Sequence, residues 1–167
     1  MEDSRIKVVA GLIRENGRVL ITERWPNKHM GLSWEFPGGK VEEGESDEQA
    51  LIRELNEEIG VLVAVGSLCF QTLYLHGTKE ILLSIYRCRI LQGTPRAVDV
   101  KALDWVREAE LEQRPFPPAD LIFVRELMAG RIREEIEPGP EPDFKPAQIL
   151  RRVSLPSLPE PPSKPLR

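Results

Sequence analysis

Three glutamates in one short stretch carry the clearest chemical signal in this sequence. Glu54, Glu57 and Glu58 stand three and four residues apart, so their carboxylates share one edge if the segment is helical. Like charges at this spacing disfavour a helix by roughly 0.2–0.5 kcal/mol per pair. Carboxylate oxygens without nearby His or Cys suit a hard divalent cation, Mg²⁺ or Mn²⁺. The pattern indicates an acidic metal-binding edge, with a solvated acidic face as the alternative.

A metal on that edge would serve phosphate chemistry. Mg²⁺ typically binds one or two carboxylates together with substrate phosphates, and it lowers the pKa of a bound water while a further carboxylate takes the proton. Arg53 can pair with Glu57 at i+4 and hold that carboxylate in place; an ordinary surface pair is the alternative. The implied substrate is a phosphate chain.

The segment that carries these residues has the signals of a helix. Ser46 followed by Gln49 fits a capping box, and Gly60 stands where a left-handed C-terminal residue belongs. We therefore expect a helix over 47–59, preceded by a Pro-Gly-Gly loop. Its apolar side, which must face the core, comprises Leu51, Ile52, Leu55 and Ile59.

The stretch 39–61, GKVEEGESDEQALIRELNEEIGV, has the spacing G-x5-E-x7-R-E-U-x-E-E-x-G-U, where U is aliphatic. It resembles the Nudix box. The preceding AGLIRENGRVLITERWPNKHMGLSWEFPGGK is similar to the MutT type of Nudix hydrolase, which converts nucleoside triphosphates to monophosphates and pyrophosphate. The resemblance implies an α+β Nudix fold, an α/β/α sandwich with a mixed central sheet.

The resemblance also implies roles for individual residues of the metal site. Glu54, Glu57 and Glu58 would line it, Glu54 would be the base, and the Gly38 carbonyl would be a further ligand. Asp99, six residues before a strand Trp, matches a loop carboxylate that adds a metal contact in the family. The family residue is usually Glu, and capping of a loop is the alternative for Asp99.

Four residues are expected near the substrate. Arg24, Phe36 and Lys40 match positions beside the nucleotide, with packing in the core as the alternative for Phe36. Lys40 is also a catalytic candidate as a cation at the phosphates, with simple solvation as the alternative. Asp120 stands where MutT-type enzymes place an Asn that hydrogen-bonds the base. An ionised Asp only accepts hydrogen bonds, which favours the amino group of cytosine or the N1/N2 edge of guanine. The alternative is that Asp120 caps a second helix.

Outside the box, apolar runs separated by turn residues predict strands. Asn-Gly at 16–17 predicts a hairpin, and FPPAD begins a second helix that ends at Gly130. The expected strands are 6–14, 18–24, a short piece at 34–36, 62–65, 68–75, 81–91 and 102–106.

Composition limits the domain organisation and the partners. With 167 residues, the chain suits one Nudix hydrolase domain over 1–136 and a tail over 137–167 that holds nine of the 15 prolines. The tail ends in PPSKPLR, a weak match to a P-x-x-P-x-R ligand. A net charge of -4 gives no indication of a polynucleotide partner, and no apolar run is long enough to span a membrane. We expect a cytoplasmic monomer or homodimer.

Together with the acidic edge, the resemblance implies a Mg²⁺-dependent hydrolase that converts (d)NTP to (d)NMP and pyrophosphate and clears 8-oxo-dGTP or modified cytosine triphosphates from the nucleotide pool. Hydrolysis of ADP-ribose or dinucleoside polyphosphates is an alternative. In the family that the chain resembles, branches that hydrolyse ADP-ribose usually carry a Pro shortly after the box, and the lack of Pro over 63–94 disfavours that substrate. A non-catalytic nucleotide-sensing module is a further alternative. In the family that the chain resembles, such modules usually lose glutamates of the box, and this chain retains Glu54, Glu57 and Glu58.

Overall fold

A computed structural model of the chain describes residues 5–132. The tail, its polyproline-ligand match and the boundary expected at residue 136 lie outside the described residues. The elements, in chain order, are β1 (Ile6–Glu15), β2 (Arg18–Glu23), β3 (Trp34–Glu35), β4 (Gly38–Lys40), α1 (Asp47–Ile59), β5 (Leu62–His76), β6 (Lys79–Gln92), β7 (Ala102–Val106), a 3-10 helix (Glu108–Gln113) and α2 (Pro118–Met128).

The sheet is mixed, as expected, and β1 is its central strand. β1 runs parallel to β6 and antiparallel to β4, and β5 lies antiparallel to β6 at the edge. β2 pairs with β3 and β7 and joins β1 through a hairpin. The turn residues Asn16 (φ 51°) and Gly17 (φ 72°) both lie in the left-handed region, as a type I′ turn requires.

A helix covers each face of the sheet, which confirms the α/β/α sandwich. Side chains alternate along β1, so Val9 and Ile13 face α1, while Ala10 and Leu12 face α2. The core beneath α1 includes Leu20, Leu51, Leu55, Ile59 and Val63, and the core beneath α2 includes Val19, Phe36, Ile85, Phe123 and Leu127. None of the helices within residues 5–132 is long and apolar enough to cross a membrane.

The structure corrects two sequence-based expectations. The Pro-Gly-Gly segment is not only a loop, because Gly38–Lys40 forms strand β4 against β1. The runs 62–65 and 68–75 form one strand, β5, with irregular pairing between Val65 and Phe70. Gly66 interrupts the apolar pattern, but a β-bulge there absorbs the interruption without ending the strand.

Candidate active site

Local interactions fix both ends of α1. Ser46 Oγ accepts the Gln49 N–H at 3.1 Å, and Gln49 Oε1 accepts the Ser46 N–H at 2.9 Å. At the other end, Gly60 has φ 71° and its N–H donates to the Asn56 carbonyl at 3.0 Å. The predicted capping box, C-terminal glycine and bounds of the helix are confirmed.

The loop before β7 closes the C-terminal end of α1. The Glu58 carbonyl accepts the N–H groups of Val98 (3.0 Å) and Asp99 (3.1 Å), and the Ile59 carbonyl accepts that of Arg96 (3.0 Å). These bonds satisfy carbonyls that a helix end leaves without intrahelical partners. They also place exposed Asp99 near Glu58, close enough for its charge to raise the pKa of Glu58.

Two glycines bring β4 against the acidic edge. A Cβ on Gly39 would overlap the Glu54 carboxylate, and a Cβ on Gly38 would overlap the β1 backbone. The Gly38 N–H instead donates to Glu58 Oε2 at 3.3 Å. Glycine at position 38 lets the strand lie close to β1, and glycine at position 39 leaves the Glu54 carboxylate in its place beside the strand.

Burial and mutual repulsion disfavour negative charge on this edge. Burial raises the pKa of Glu58 to about 9, and the charges of Glu35, Glu54 and Asp99 add to this effect. Burial also raises the pKa of Glu54, against the opposing effect of the Arg53 guanidinium. A divalent cation would reverse the penalty by neutralising the carboxylates.

The side chains on this edge have the donor atoms that a divalent cation prefers, although they do not already form a coordination site. No three Asp, Glu, His or Cys side chains within residues 5–132 already converge as a metal site. However, the donors available along this edge are all hard oxygens, and a positive charge would relieve the repulsion between them. The predicted donors are Gly38, Glu54, Glu57, Glu58 and Asp99, of which Glu57 and Asp99 are exposed.

Arg53 links the glutamates of the box. Its guanidinium binds both oxygens of Glu45, at 2.6 and 2.9 Å, and donates to Glu54 Oε1 at 2.9 Å. It also reaches the Lys40 carbonyl at 3.1 Å and Glu57 Oε2 at 3.4 Å. The expected pair with Glu57 is thus present but is the longest of these contacts. Glu45 is therefore the main partner of Arg53, which also holds Glu54.

A second charged group lies beside the acidic edge. Arg24 Nη1 donates to Glu35 Oε2 at 2.9 Å, and burial raises the pKa of Glu35 despite this partner. The pKa of Asp120 rises to about 7, mainly through burial and then through the charge of Glu35. The backbone N–H groups of Asp120 and Phe36 partly oppose this rise in the pKa of Asp120. Asp120 thus lies in the first turn of α2 and also faces the Phe36 segment.

The Phe36 ring does not lie where a substrate contact was expected. It is 2% exposed and packs against Phe116 and Phe123, with ring centroids 5.9 and 4.9 Å away. The reason is that the aromatic core beneath α2 takes up the ring. Phe36 is therefore part of the core on which this part of the site packs. The Lys40 side chain, by contrast, is exposed at the end of β4.

Sequence reasoning missed Glu35 and Tyr74. Glu35 is an electrostatic neighbour of Glu58, Asp120 and Tyr74, so it connects the acidic edge with the Asp120 side. Burial and the charges of Asp120 and Glu35 raise the pKa of Tyr74. Glu35 could have been noticed because it is a carboxylate within the WEFPGGK segment that precedes the box. Nothing in the local sequence distinguishes Tyr74 from other strand residues.

Comparison with known proteins agrees with this geometry. Residues 3–127 match the family model described as NUDIX domain. A "Putative 8-oxo-dGTP diphosphatase 2" of Mycobacterium tuberculosis is 42% identical over 123 residues, covering 72% of this chain and 86% of that protein. The "CTP pyrophosphohydrolase" of Escherichia coli is 36% identical over 126 residues, covering 75% and 93%. The solution structure of the E. coli ORF135 protein superposes with a TM-score of 0.69 at 34% identity, covering 80% and 96%.

The sandwich fold, the acidic helical edge and these similarities together identify the class of protein. The chain belongs to the NUDIX family of hydrolases, which generally use divalent metal cations. Within that family it is a MutT-type pyrophosphohydrolase.

Proposed function

We propose that the protein is a Mg²⁺-dependent nucleoside triphosphate pyrophosphohydrolase that converts (d)NTP to (d)NMP and pyrophosphate. One observation carries the proposal: Glu35 is an electrostatic neighbour of both Glu58 on the acidic edge and Asp120 at α2. The edge that would bind phosphate and the carboxyl that would recognise the base are therefore both electrostatic neighbours of one half-buried glutamate. This arrangement suits a substrate that has a phosphate chain at one end and a nucleobase at the other.

The acidic edge would hold the metal. Glu57, Glu58, Asp99 and the Gly38 carbonyl would supply ligands, with Glu54 beside them. When bound, Mg²⁺ would neutralise phosphate charge and acidify a water molecule. Glu54, which stands beside these ligands on the same helix edge, would take a proton from the attacking water.

The remaining site residues would orient the base and the substrate. Arg53 would keep Glu54 in position through the contact at 2.9 Å. The exposed Lys40 would meet the phosphate chain. Arg24 would act near the nucleotide while it holds Glu35 at 2.9 Å.

Asp120 would recognise the nucleobase. With a pKa of about 7, its carboxyl is present near neutral pH both as an acceptor and as a protonated donor. The ionised form accepts from the N1/N2 edge of guanine or from the amino group of cytosine. Because relatives are named for 8-oxo-dGTP and for CTP, 8-oxo-dGTP is the first candidate and cytosine triphosphates are the second. The cellular role would be clearance of damaged nucleotides in the cytoplasm.

The test is a panel of kcat/KM values with Mg²⁺, Mn²⁺ or no metal. The panel contains 8-oxo-dGTP, dGTP, CTP, dCTP, 5-methyl-dCTP, ADP-ribose and a dinucleoside polyphosphate. We expect a triphosphate to lead, with release of pyrophosphate. Faster cleavage of ADP-ribose or of the dinucleoside polyphosphate would refute the substrate class. Glu54→Gln should lower kcat by orders of magnitude with the fold intact, and an unchanged rate would assign the base elsewhere.

A further inference from the structure

The two histidines of the chain are in contact although they are far apart in the sequence. His29 lies in the connection between β2 and β3, and His76 is the last residue of β5. Their ring centroids are 4.4 Å apart, and the ring planes are inclined at 66°. The mechanism proposed above uses neither ring. The fold thus brings together the only two imidazole groups that the sequence contains.

The backbone around His29 is held by its own hydrogen bonds. The Leu32 N–H donates to the Arg24 carbonyl at 3.1 Å, which closes the connection at its base. Within the connection, the Gly31 N–H donates to the Lys28 carbonyl at 2.9 Å and so forms a turn that contains His29. The position of His29 is therefore set by a compact turn.

The backbone at His76 is fixed by strand pairing. His76 pairs with Lys79 across a two-residue turn between β5 and β6, and Gly77 in that turn has φ 63°. A left-handed residue is what a tight hairpin turn of this length requires. His76 is thus presented by the end of a regular hairpin, opposite the turn that presents His29.

The distance between the two rings suits a shared metal ion. Bonds of about 2.0–2.1 Å from zinc to nitrogen place two imidazole nitrogens on one ion no more than about 4.2 Å apart. The centroid distance of 4.4 Å is close to this limit. Both side chains are exposed, so rotation of the rings can turn one nitrogen of each toward a common point without movement of the backbone.

The chemistry of the pair selects a different cation from that of the acidic edge. Imidazole nitrogen suits Zn²⁺, Cu²⁺ and Ni²⁺, whereas Mg²⁺ prefers oxygen. Lys28 precedes His29, and Lys79 pairs with His76. These two positive charges disfavour an ion held mainly by charge, so coordination by the imidazoles must supply the affinity.

We propose that His29 and His76 form a binding site for one borderline divalent cation, with Zn²⁺ as the reference ion and water in its remaining coordination positions. A bound ion would join the β2–β3 connection to the β5–β6 turn. Arg24 begins that connection and Tyr74 lies on the same strand as His76, so the joined elements flank the side proposed to recognise the base. The site uses no residue of the acidic edge and is independent of the substrate assignment.

Calorimetric titration with Zn²⁺ tests the site in the full-length chain without an affinity tag. The titration is done at about pH 7.5, where an ordinary histidine ring is mostly neutral and free to coordinate, and with excess Mg²⁺ to compete for the acidic edge. We expect one Zn²⁺ to bind. His29→Gln and His76→Gln should each raise the Kd by about 10-fold or more, because each removes one of the two protein ligands. The matched control is Glu112→Gln, an exposed carboxylate on the 3-10 helix, which should bind as the unaltered chain does.

Amide hydrogen exchange provides a second readout. Zn²⁺ should slow exchange over 25–32 and 76–79 in the unaltered chain but in neither histidine variant. Binding that survives both histidine variants and is lost in Glu58→Gln would overturn the proposal, since the ion would then lie on the acidic edge. Loss of binding in only one histidine variant would also overturn it, because the two rings would not share the ion. Circular dichroism checks that each variant is folded, and none of these outcomes depends on which nucleotide is cleaved.

Discussion

Replacement of Asp120 by Asn tests the electrostatics of the side proposed to recognise the base most directly. The pKa of Asp120 lies at about 7 instead of the ordinary 3.8, because burial and the charge of Glu35 oppose ionisation. A difference of this size corresponds to about 4 kcal/mol between the two protonation states. Asp120 keeps partial contact with solvent, so this figure is an upper limit. Asn preserves the shape and can still accept the Phe36 N–H, but it does not titrate.

The direction of the effect follows from proton binding. Below pH about 4 the carboxyl is protonated in both the folded and the unfolded chain and contributes nothing. Between pH about 4 and 7 the unfolded chain loses the proton while the folded chain keeps it, so the free energy of unfolding falls as pH rises. From pH 5 to pH 8 this contribution amounts to at most about 3 kcal/mol, and it is absent from Asp120→Asn.

The assay is urea unfolding of the metal-free full-length chain at pH 5 and pH 8. Relative to the unaltered protein, Asp120→Asn should gain stability at pH 8 and show a weaker pH dependence; Glu112→Gln serves as an exposed control. The kcat/KM of the unaltered enzyme for its preferred nucleotide should change near pH 7, whereas that of Asp120→Asn should not. An identical pH dependence of unfolding in both chains would refute the raised pKa of Asp120.

Four further perturbations address the acidic edge. Gly39→Ala should lower kcat by about 100-fold or more with an unchanged circular dichroism spectrum, because the added methyl must displace the flexible Glu54 carboxylate; full activity would refute this close approach. Arg53→Lys should lower kcat by about 10- to 100-fold, since lysine cannot bind both oxygens of Glu45. Mg²⁺ at 100 times its Kd should stabilise the unaltered chain by about 2.7 kcal/mol in thermal unfolding. Glu58→Gln should be more stable without Mg²⁺ and gain less from it, and an equal gain would exclude Glu58 as a ligand.

The sequence predicted α1 to the residue because both of its ends are local. The partners in the capping box are three residues apart, and Gly60 bonds to a carbonyl of the same helix. The regular geometry of the helix also places Glu54, Glu57 and Glu58 on one edge. The bidentate Arg53–Glu45 pair was not found, because its partners are eight residues apart and the intervening segment sets their approach.

Long-range pairing explains what the sequence could not show. Gly38–Lys40 has only three residues and contains two glycines, so no periodicity reveals a strand there. Its position depends on register against β1, with Gly39 opposite Val9. The burial of Phe36 likewise depends on Phe116 and Phe123, about 80 residues away in the chain. An aromatic residue beside a predicted site therefore gave no indication of which side it would face.

The position of Glu35 bears on how substrate preference would arise. The charge of Glu35 raises the pKa values of both Glu58 and Asp120. Burial raises the pKa of Glu35 itself, and Arg24 partly offsets that rise. A divalent cation on the acidic edge would add positive charge beside Glu35, which favours ionised Glu35; ionised Glu35 in turn favours protonated Asp120. Occupation of the acidic edge would thus bias whether Asp120 donates or accepts a hydrogen bond. Base preference in this protein would then depend on the charge state of the phosphate side as well as on the residue type at position 120.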